Sequence, residues 1–314
     1  MDKNTITGFV LIAALIIGFS WFNKPSDEEI AQQRTQDSIA NVQKEKAKQQ
    51  QAANAAAAKA MAKIDTTAAF HEALAGKAQK VTLKNQKVEL TFNSKGATVE
   101  KAVIKGFKDY KGNKDVTLFD GKDQSLNFML AGKETNLITS DMYFTPSEVT
   151  DSTVVFTASA AEGKSLTISY TLGKDYMLHA SIQANGMSGM FAPNYNAMDV
   201  EWKDKCRQQE KGFTFENRYA TLTYHLIEGG TDYLGETKEL TDEAVEDNID
   251  WVAFKNQFFS AVMIAKNDFG KNAKMTSIPQ EKGSGYLKQY GAKMKTFFDP
   301  TGKQPTELEF YYGP

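Results

Sequence analysis

The chain has 314 residues, with 37 Lys and Arg against 39 Asp and Glu, so its formal net charge is −2. This even balance, without a block of basic residues interleaved with aromatics, excludes a protein that binds nucleic acid through an electrostatic surface. The single cysteine, Cys206, excludes an internal disulfide and a cysteine-based zinc cluster, and we expect it to be a structural thiol. The length fits one large domain with appendages or two domains.

An uncharged hydrophobic segment, residues 6–22, lies close to the N-terminus. As a helix it would be about 26 Å long, close to the thickness of the bilayer's hydrocarbon core. We therefore predict that residues 1–24 form a transmembrane anchor that contacts the lipid bilayer through residues 6–22. Its anchoring residues are Phe9, Leu11, Ile16, Trp21 and Phe22.

The alternative for this segment is a signal peptide that is cleaved, but bulky Trp21 and Phe22 stand where a cleavage site would need small residues. Lys3 precedes the segment, and acidic residues at positions 27–29 follow it. Because positive charges favour the cytoplasmic side, this asymmetry predicts a cytoplasmic N-terminus and export of everything that follows the anchor.

Residues 25–78 are predicted to be a helical linker. Ser26 and Glu29 match a capping box, and Ala, Gln, Lys and Glu dominate from there to about Lys63. The apolar residues do not sustain a heptad, which favours a solvated helix or a partly frayed tether over a coiled coil. We interpret this segment as a spacer.

From about Lys80 the hydrophobic period changes to two, which is typical of β-strands. The clearest example runs from Ser165 to Ala184, where two alternating stretches flank a turn at Gly173 and predict a hairpin. Turn signals are frequent and long helices do not separate the strands. Residues 79–314 are therefore predicted to be an all-β antiparallel sandwich rather than a parallel α/β sheet.

The sequence carries no common catalytic or metal-binding motif: HExxH, GxSxG and GxxxxGK[ST] are absent. The three histidines, His71, His179 and His225, do not form a recognisable site. Glu307 and Glu309 alternate with apolar residues, which predicts a solvated strand face rather than a pair of catalytic carboxylates. We predict a protein that is not an enzyme and that has no cofactor.

The loop of residues 185–199 is a candidate for contact with another polypeptide, because methionine-rich surfaces adapt to varied apolar partners. The alternative is a loop that only caps the sandwich. The candidate contact residues are Met187, Met190, Phe191 and Tyr195.

The aromatic-rich segment 251–259 is predicted to form core strands rather than an exposed groove. Its four aromatic residues, Trp251, Phe254, Phe258 and Phe259, border an apolar stretch that begins at Ala261. Large aromatic side chains bury much surface, so we expect all four to belong to a structural core.

The same segment, WVAFKNQFF, resembles the W-V-A-x-x-x-Q-F/Y-F signature in the large periplasmic domain of YidC-type membrane-protein insertases. The opening MDKNT, the stretch FNSKGA at 92–97 and the ending FYYGP at 310–314 resemble the same family in the same order. The residues that carry the signature are Trp251, Phe254, Gln257, Phe258 and Phe259.

This resemblance implies a twisted β-supersandwich similar to galactose mutarotase, in agreement with the antiparallel prediction. It also implies the inner membrane of a bacterium, a periplasmic main domain and a role in the insertion and folding of membrane proteins, alone or with the Sec translocon and SecDF. In the family, nascent membrane proteins enter a conserved five-helix membrane core. The chain resembles the half that precedes this core, which we expect it to lack.

Two other functions stay open at this point. A carbohydrate-binding or mutarotase-like sandwich would place His, Asp or Glu with aromatic platforms in a polar cleft. Its candidate residues would be His179, His225 and Glu307, although a shared fold alone does not carry an activity. The other alternative is a passive structural domain.

Overall fold

The computed structural model describes residues 70–160, 163–234 and 241–314. The predicted anchor and nearly all of the predicted linker lie outside the described residues. Within the described ranges, no helix has the length and apolar character needed to cross a membrane. The chain divides into two units, residues 1–63 and 64–314, and all described residues lie in the second.

Most described residues lie in β-strands, which confirms the prediction of an all-β domain. The strands are β1 (Lys80–Lys84), β2 (Val88–Asn93), β3 (Thr98–Lys108), β4 (Asp115–Asp120), β5 (Gln124–Leu130), β6 (Leu137–Ile138), β7 (Thr145–Ser147), β8 (Thr153–Ser159), β9 (Ser165–Leu172), β10 (Met177–Asn185), β11 (Ala197–Arg207), β12 (Thr221–Leu226), β13 (Gly230–Leu234), β14 (Thr241–Val245), β15 (Ile249–Lys255), β16 (Ser260–Phe269), β17 (Ala273–Pro279), β18 (Tyr286–Phe297) and β19 (Thr306–Gly313). The described helical elements are α1 (His71–Leu74), α2 (Phe213–Tyr219) and 3-10 turns at Gly121–Asp123, Thr139–Asp141 and Ser188–Met190.

The described strands form two antiparallel sheets. Strands β1 to β4 make a four-stranded meander in chain order. The larger sheet has a main path of β6-β5-β11-β18-β16-β19-β10-β9-β8-β7, and β12 to β15 and β17 join it through β16 and β18. The predicted hairpin at Ser165 to Ala184 is confirmed, because β9 and β10 pair from Leu172 with Leu178 to Ser165 with Asn185. Side chains alternate between buried and less buried along both strands, as expected of a strand with one face on a core.

Aromatic side chains join the two sheets into one hydrophobic core. The ring centroid of Phe92 in β2 lies 5.9 Å from that of Phe156 and 4.8 Å from that of Tyr170 in the larger sheet. A second contact, 5.5 Å between centroids, links Phe119 of β4 to Tyr312 of β19. All five side chains are buried, so truncation of one would remove contacts on both sheets.

The packed unit includes residues upstream of the first strand. Phe70 and Ala73, at the short helix α1, are buried in the same core. The backbone N–H of Tyr143 donates a 2.6 Å hydrogen bond to the carbonyl oxygen of Ala73. A Cβ atom at Gly76 would come within 2.6 Å of the Cβ of Tyr143. This close packing makes the segment around α1 a part of the β domain.

Candidate functional site

The signature segment 251–259 forms β15 and the tight turn that leads into β16. The side-chain Oδ1 of Asn256 accepts hydrogen bonds from the backbone N–H groups of Phe258, at 3.0 Å, and Phe259, at 2.7 Å. The backbone N–H of Asn256 in turn donates to the carbonyl oxygen of Phe259 at 3.0 Å. Because Asn256 is itself buried, these bonds fix the turn from the inside.

The turn separates the signature aromatics instead of burying them together. Phe254 and Phe259 are buried, and the ring of Phe254 stacks 4.0 Å from that of Trp202. Phe258 is 52% exposed, so the expectation that it joins the core is wrong. The physical reason is the Asn256 turn, which holds Phe259 inward and leaves Phe258 at the tip. Gln257, also in the turn, is half-buried.

Trp251 is half-buried and lies on the outer face of the sheet, so its expected core role is wrong as well. Its indole ring is parallel to the imidazole of His225, with 5.8 Å between ring centroids. The Nδ1 atom of His225 is 2.8 Å from Oδ1 of Asp250. Trp251 and His225 are register partners on β15 and β12. Because register partners point to the same face of a sheet, both side chains lie on the outer face.

The two strand histidines lie in one row across the larger sheet. The register runs from His179 to Glu309, Ile264, Trp251 and His225. Four strand spacings of about 4.8 Å separate the backbones of the two histidines by about 19 Å along the sheet. This is too far for both to act on one sugar ring, so the row does not provide the convergent site that a mutarotase-like activity would need.

The carboxylates near this row have local partners. His179 Nδ1 lies 3.1 Å from Glu309 Oε1, and the hydroxyl of Ser181 donates a 2.8 Å hydrogen bond to Glu307 Oε1. Within the described parts of the chain, no group of three His, Cys, Asp or Glu residues is arranged to hold a metal ion. Each of these carboxylates therefore has its own partner on a neighbouring strand.

The loop of residues 185–199 packs onto the end of the sandwich. Met187 and Phe191 are buried, so the expectation of an exposed, methionine-rich contact surface is wrong for these two residues. Phe191 stacks on Tyr195 at 4.9 Å, and both rings contact Phe298. Met190 and Tyr195 are partly buried against the same core. The apolar content that suggested partner contact therefore serves to cap the core.

A buried group of polar side chains lies where the two sheets meet. Asp123 accepts hydrogen bonds from Arg207, at 2.6 Å, and from the hydroxyl of Tyr286, at 2.7 Å. Asp204 is buried nearby, and among the described residues its Oδ1 has no hydrogen-bond partner. Burial, with a smaller contribution from the charge of Asp123, raises the pKa of Asp204 well above its usual value. This group was not predictable from the sequence, because Asp123 and Arg207 are far apart in the chain.

A second buried carboxylate fixes the short helix α2 to the end of β11. Glu216 accepts hydrogen bonds from the backbone N–H groups of Gln209 and Glu210, both at 3.0 Å. Burial raises the pKa of Glu216, although these N–H groups favour the charged form. Cys206 is also buried, and burial raises the pKa of its thiol. Its environment is that of a structural thiol.

Similar solved structures share little sequence with this chain. A galactose mutarotase-like protein from Lactobacillus casei is 13% identical with a TM-score of 0.48, covering 74% of this chain and 100% of that protein. A galactose mutarotase related enzyme from Lactobacillus acidophilus is 10% identical with a TM-score of 0.46, covering 75% of this chain and 98% of that one.

Sequence relatives cover the whole chain. The membrane protein insertase YidC of Phocaeicola vulgatus is 50% identical over 317 residues, which cover 100% of this chain and 51% of that protein. The insertase of the same name from Bacteroides fragilis is 43% identical over 318 residues, with the same coverage. The chain thus spans about half the length of these relatives. The family described as YidC periplasmic domain matches residues 80–314. The chain therefore belongs to the YidC family of membrane protein insertases, and residues 80–314 are its YidC periplasmic domain.

Proposed function

We propose that this chain is the membrane-anchored periplasmic module of an insertase that assists the insertion and folding of integral membrane proteins. The observation that carries the proposal is the family match over residues 80–314, together with 50% identity over the full chain to the insertase of Phocaeicola vulgatus. In this proposal the module contributes docking and spacing above the membrane, whereas nascent membrane proteins are received by the part of the relatives that this chain does not match.

The proposed topology places residues 6–22 across the bacterial inner membrane, with the N-terminus in the cytoplasm and the β domain in the periplasm. The length of the uncharged segment and the position of Lys3 support this arrangement. The linker that follows has the composition of a spacer. The β domain would then reach partners in the periplasm while the anchor keeps it at the membrane.

The β domain has the properties of a rigid domain that binds partner proteins. Its buried aromatic contacts between two sheets, such as Phe92 with Tyr170, hold the backbone in one arrangement. A preorganised surface loses little conformational entropy when it binds a partner. We propose that the Sec translocon and its SecDF accessory are these partners. The separation of His179 from His225 supports a binding role over sugar chemistry.

Binding of the full-length chain to purified Sec translocon with SecDF, in detergent, tests this proposal. A matched control is the chain shortened to residues 1–78, which retains the anchor and linker but not the β domain. We expect the full chain to retain the Sec components and the short chain to lose them. Equal retention by both chains, or retention by neither, would contradict docking through the β domain.

A further inference from the structure

Five exposed aromatic side chains lie at one end of the β domain, and the insertase assignment does not account for them. Their side chains are between 39% and 55% exposed. Large apolar side chains exposed as a group commonly mark a binding surface. The five residues are Phe107 at the end of β3, Tyr110 just after it, Phe215 and Tyr219 in α2, and Phe258 at the β15–β16 turn.

The strand register places α2 beside the turn that carries Phe258. Thr221, the first residue of β12, pairs with Lys255 at the end of β15. Lys255 pairs in turn with Ser260, which pairs with Gly313 at the end of β19. Tyr219 precedes Thr221 by two residues, so the last turn of α2 lies next to the Phe258 turn. The last described residues of the chain reach this same end.

Side-chain and backbone contacts bring the other aromatics to the same place. The ring of Phe107 meets that of Phe259 edge-on, with 5.5 Å between centroids. The backbone N–H of Tyr110 donates a 3.1 Å hydrogen bond to the carbonyl oxygen of Gln209, and the N–H of Gln209 donates to Glu216 in α2. The rings of Phe215 and Tyr219 are 5.2 Å apart. We call this surface, formed by Phe107, Tyr110, Phe215, Tyr219 and Phe258, the aromatic end.

Basic residues outnumber acidic ones in the segments that form the aromatic end. The segments 105–115, 205–219 and 255–258 together contain nine Lys and Arg but four Asp and Glu, whereas the whole chain has a slight excess of acidic residues. The ammonium group of Lys111 lies 5.5 Å from the centre of the Tyr110 ring. Lysine is depleted at the centres of protein interfaces, so an aromatic surface with lysine beside its rings fits a different partner.

We propose that the aromatic end binds the anionic surface of a phospholipid bilayer. Tyrosine rings favour the boundary between headgroups and acyl chains, where an apolar body and a polar hydroxyl are both accommodated. Phenylalanine is common on the apolar face of elements that lie in this boundary. Lys and Arg beside them are attracted to anionic lipid headgroups. The Asn256 turn already holds Phe258 outward, so this contact needs no rearrangement of the domain.

The test uses the full-length chain in nanodiscs made of phosphatidylcholine alone or mixed with phosphatidylglycerol. An environment-sensitive fluorophore is attached to Phe258→Cys, and to Ile227→Cys as the matched control. Ile227 is 47% exposed and also lies in a hairpin turn, but at the opposite end of β12. Wild-type chain serves as the labelling control, because Cys206 is buried.

The proposal predicts a blue shift and a rise in emission at position 258 in nanodiscs with phosphatidylglycerol, reversed by high salt. Emission at position 227 should not change. Charge reversal of Lys111, Lys114 and Lys211 together should abolish the shift at 258 without a change in melting temperature, since all three side chains are exposed. No shift at 258, the same shift at both positions, or the same shift with phosphatidylcholine alone would overturn the proposal. The inference rests on the proposed anchoring only to bring the domain to a bilayer, and co-elution with nanodiscs measures that anchoring separately.

Discussion

The hydroxyl group of Tyr170 in β9 donates a 2.8 Å hydrogen bond to the carbonyl oxygen of Ala97, which belongs to the turn between β2 and β3. Ala97 has a φ of 53° and follows Gly96 with a φ of 85°, so the turn uses backbone conformations that L-residues seldom adopt. Both residues are buried. This bond ties a strained turn of the small sheet to the centre of the large one.

Replacement of Tyr170 by Phe should destabilise the domain by about 1–3 kcal/mol, because the Ala97 carbonyl would lose its partner in a dry core. The free energy of unfolding from urea titration measures this loss. Tyr233→Phe is the matched control. Tyr233 is 50% exposed, so loss of its hydroxyl should change the free energy of unfolding little. Equal stability of both variants would show that the Tyr170 bond contributes nothing.

Phe254→Ala and Phe258→Ala should differ in their free energies of unfolding, because one side chain of the signature segment is in the core and the other is on the surface. Phe254 packs between Trp202 and Tyr290, so its truncation should cost about 3–5 kcal/mol of unfolding free energy. Truncation of the exposed Phe258 should change that free energy by about 0.5 kcal/mol or less. Thermal or urea unfolding checks both values. A large loss of stability in Phe258→Ala would contradict the position of this side chain at the tip of the turn.

Asp204 should make the stability of the domain depend on pH. Burial raises the pKa of its carboxyl in the folded state, so the folded chain binds a proton that the unfolded chain releases. Stability from this group is therefore greatest at low pH and declines as pH rises from the unfolded pKa towards the folded one. Asp204→Asn removes the charge, so we expect it to raise the melting temperature more at about pH 8 than at about pH 5.

Asp115→Asn provides a control of opposite sign for this experiment. A hydrogen bond from Lys108 lowers the pKa of Asp115, so any stability it contributes is present above its unfolded pKa and is lost as pH falls. Solvent screening keeps that contribution small. A melting temperature of Asp204→Asn that stays below that of the wild type across the pH range would refute a net cost of burying this carboxyl.

A fragment of residues 70–314 should unfold in one cooperative transition, because it contains the whole described core, including Phe70 and Ala73. Removal of residues 70–79 should lower its stability by about 3 kcal/mol or more, since the burial of Phe70 is lost. Circular dichroism during thermal unfolding of the two fragments measures both effects. The absence of a cooperative transition for 70–314 would mean that the domain depends on upstream residues.

Strands with one buried face were predictable from the sequence, because the period of two directly reflects which side chains reach the core. The buried residues Val88, Leu90 and Phe92 of β2 follow this rule. The exposure of the Phe258 side chain was not predictable from its apolar character. It depends on hydrogen bonds from Phe258 and Phe259 to one amide side chain, and these exist only in the folded turn.

The polar group around Asp123 and the cap formed by Met187 were hidden for a different reason. Both depend on contacts between residues that are distant in the chain, such as the pair formed by Asp123 with Arg207. A single sequence shows residue type and local spacing, but not which strands lie side by side. The composition of residues 185–199 suggested a partner surface, but the apolar side chains of this loop pack against the core of the sandwich.

Cysteine labelling in cells with a permeabilised outer membrane tests most directly whether the chain is anchored in the inner membrane with its β domain in the periplasm. Tyr233→Cys reports on the β domain and Asp2→Cys on the N-terminus, and wild-type chain controls for the buried Cys206. A membrane-impermeant maleimide should label position 233 in intact spheroplasts and position 2 only after the inner membrane is lysed, with the chain in the membrane fraction. Labelling of position 233 only after lysis, or release of the chain into the soluble periplasmic fraction, would contradict the account.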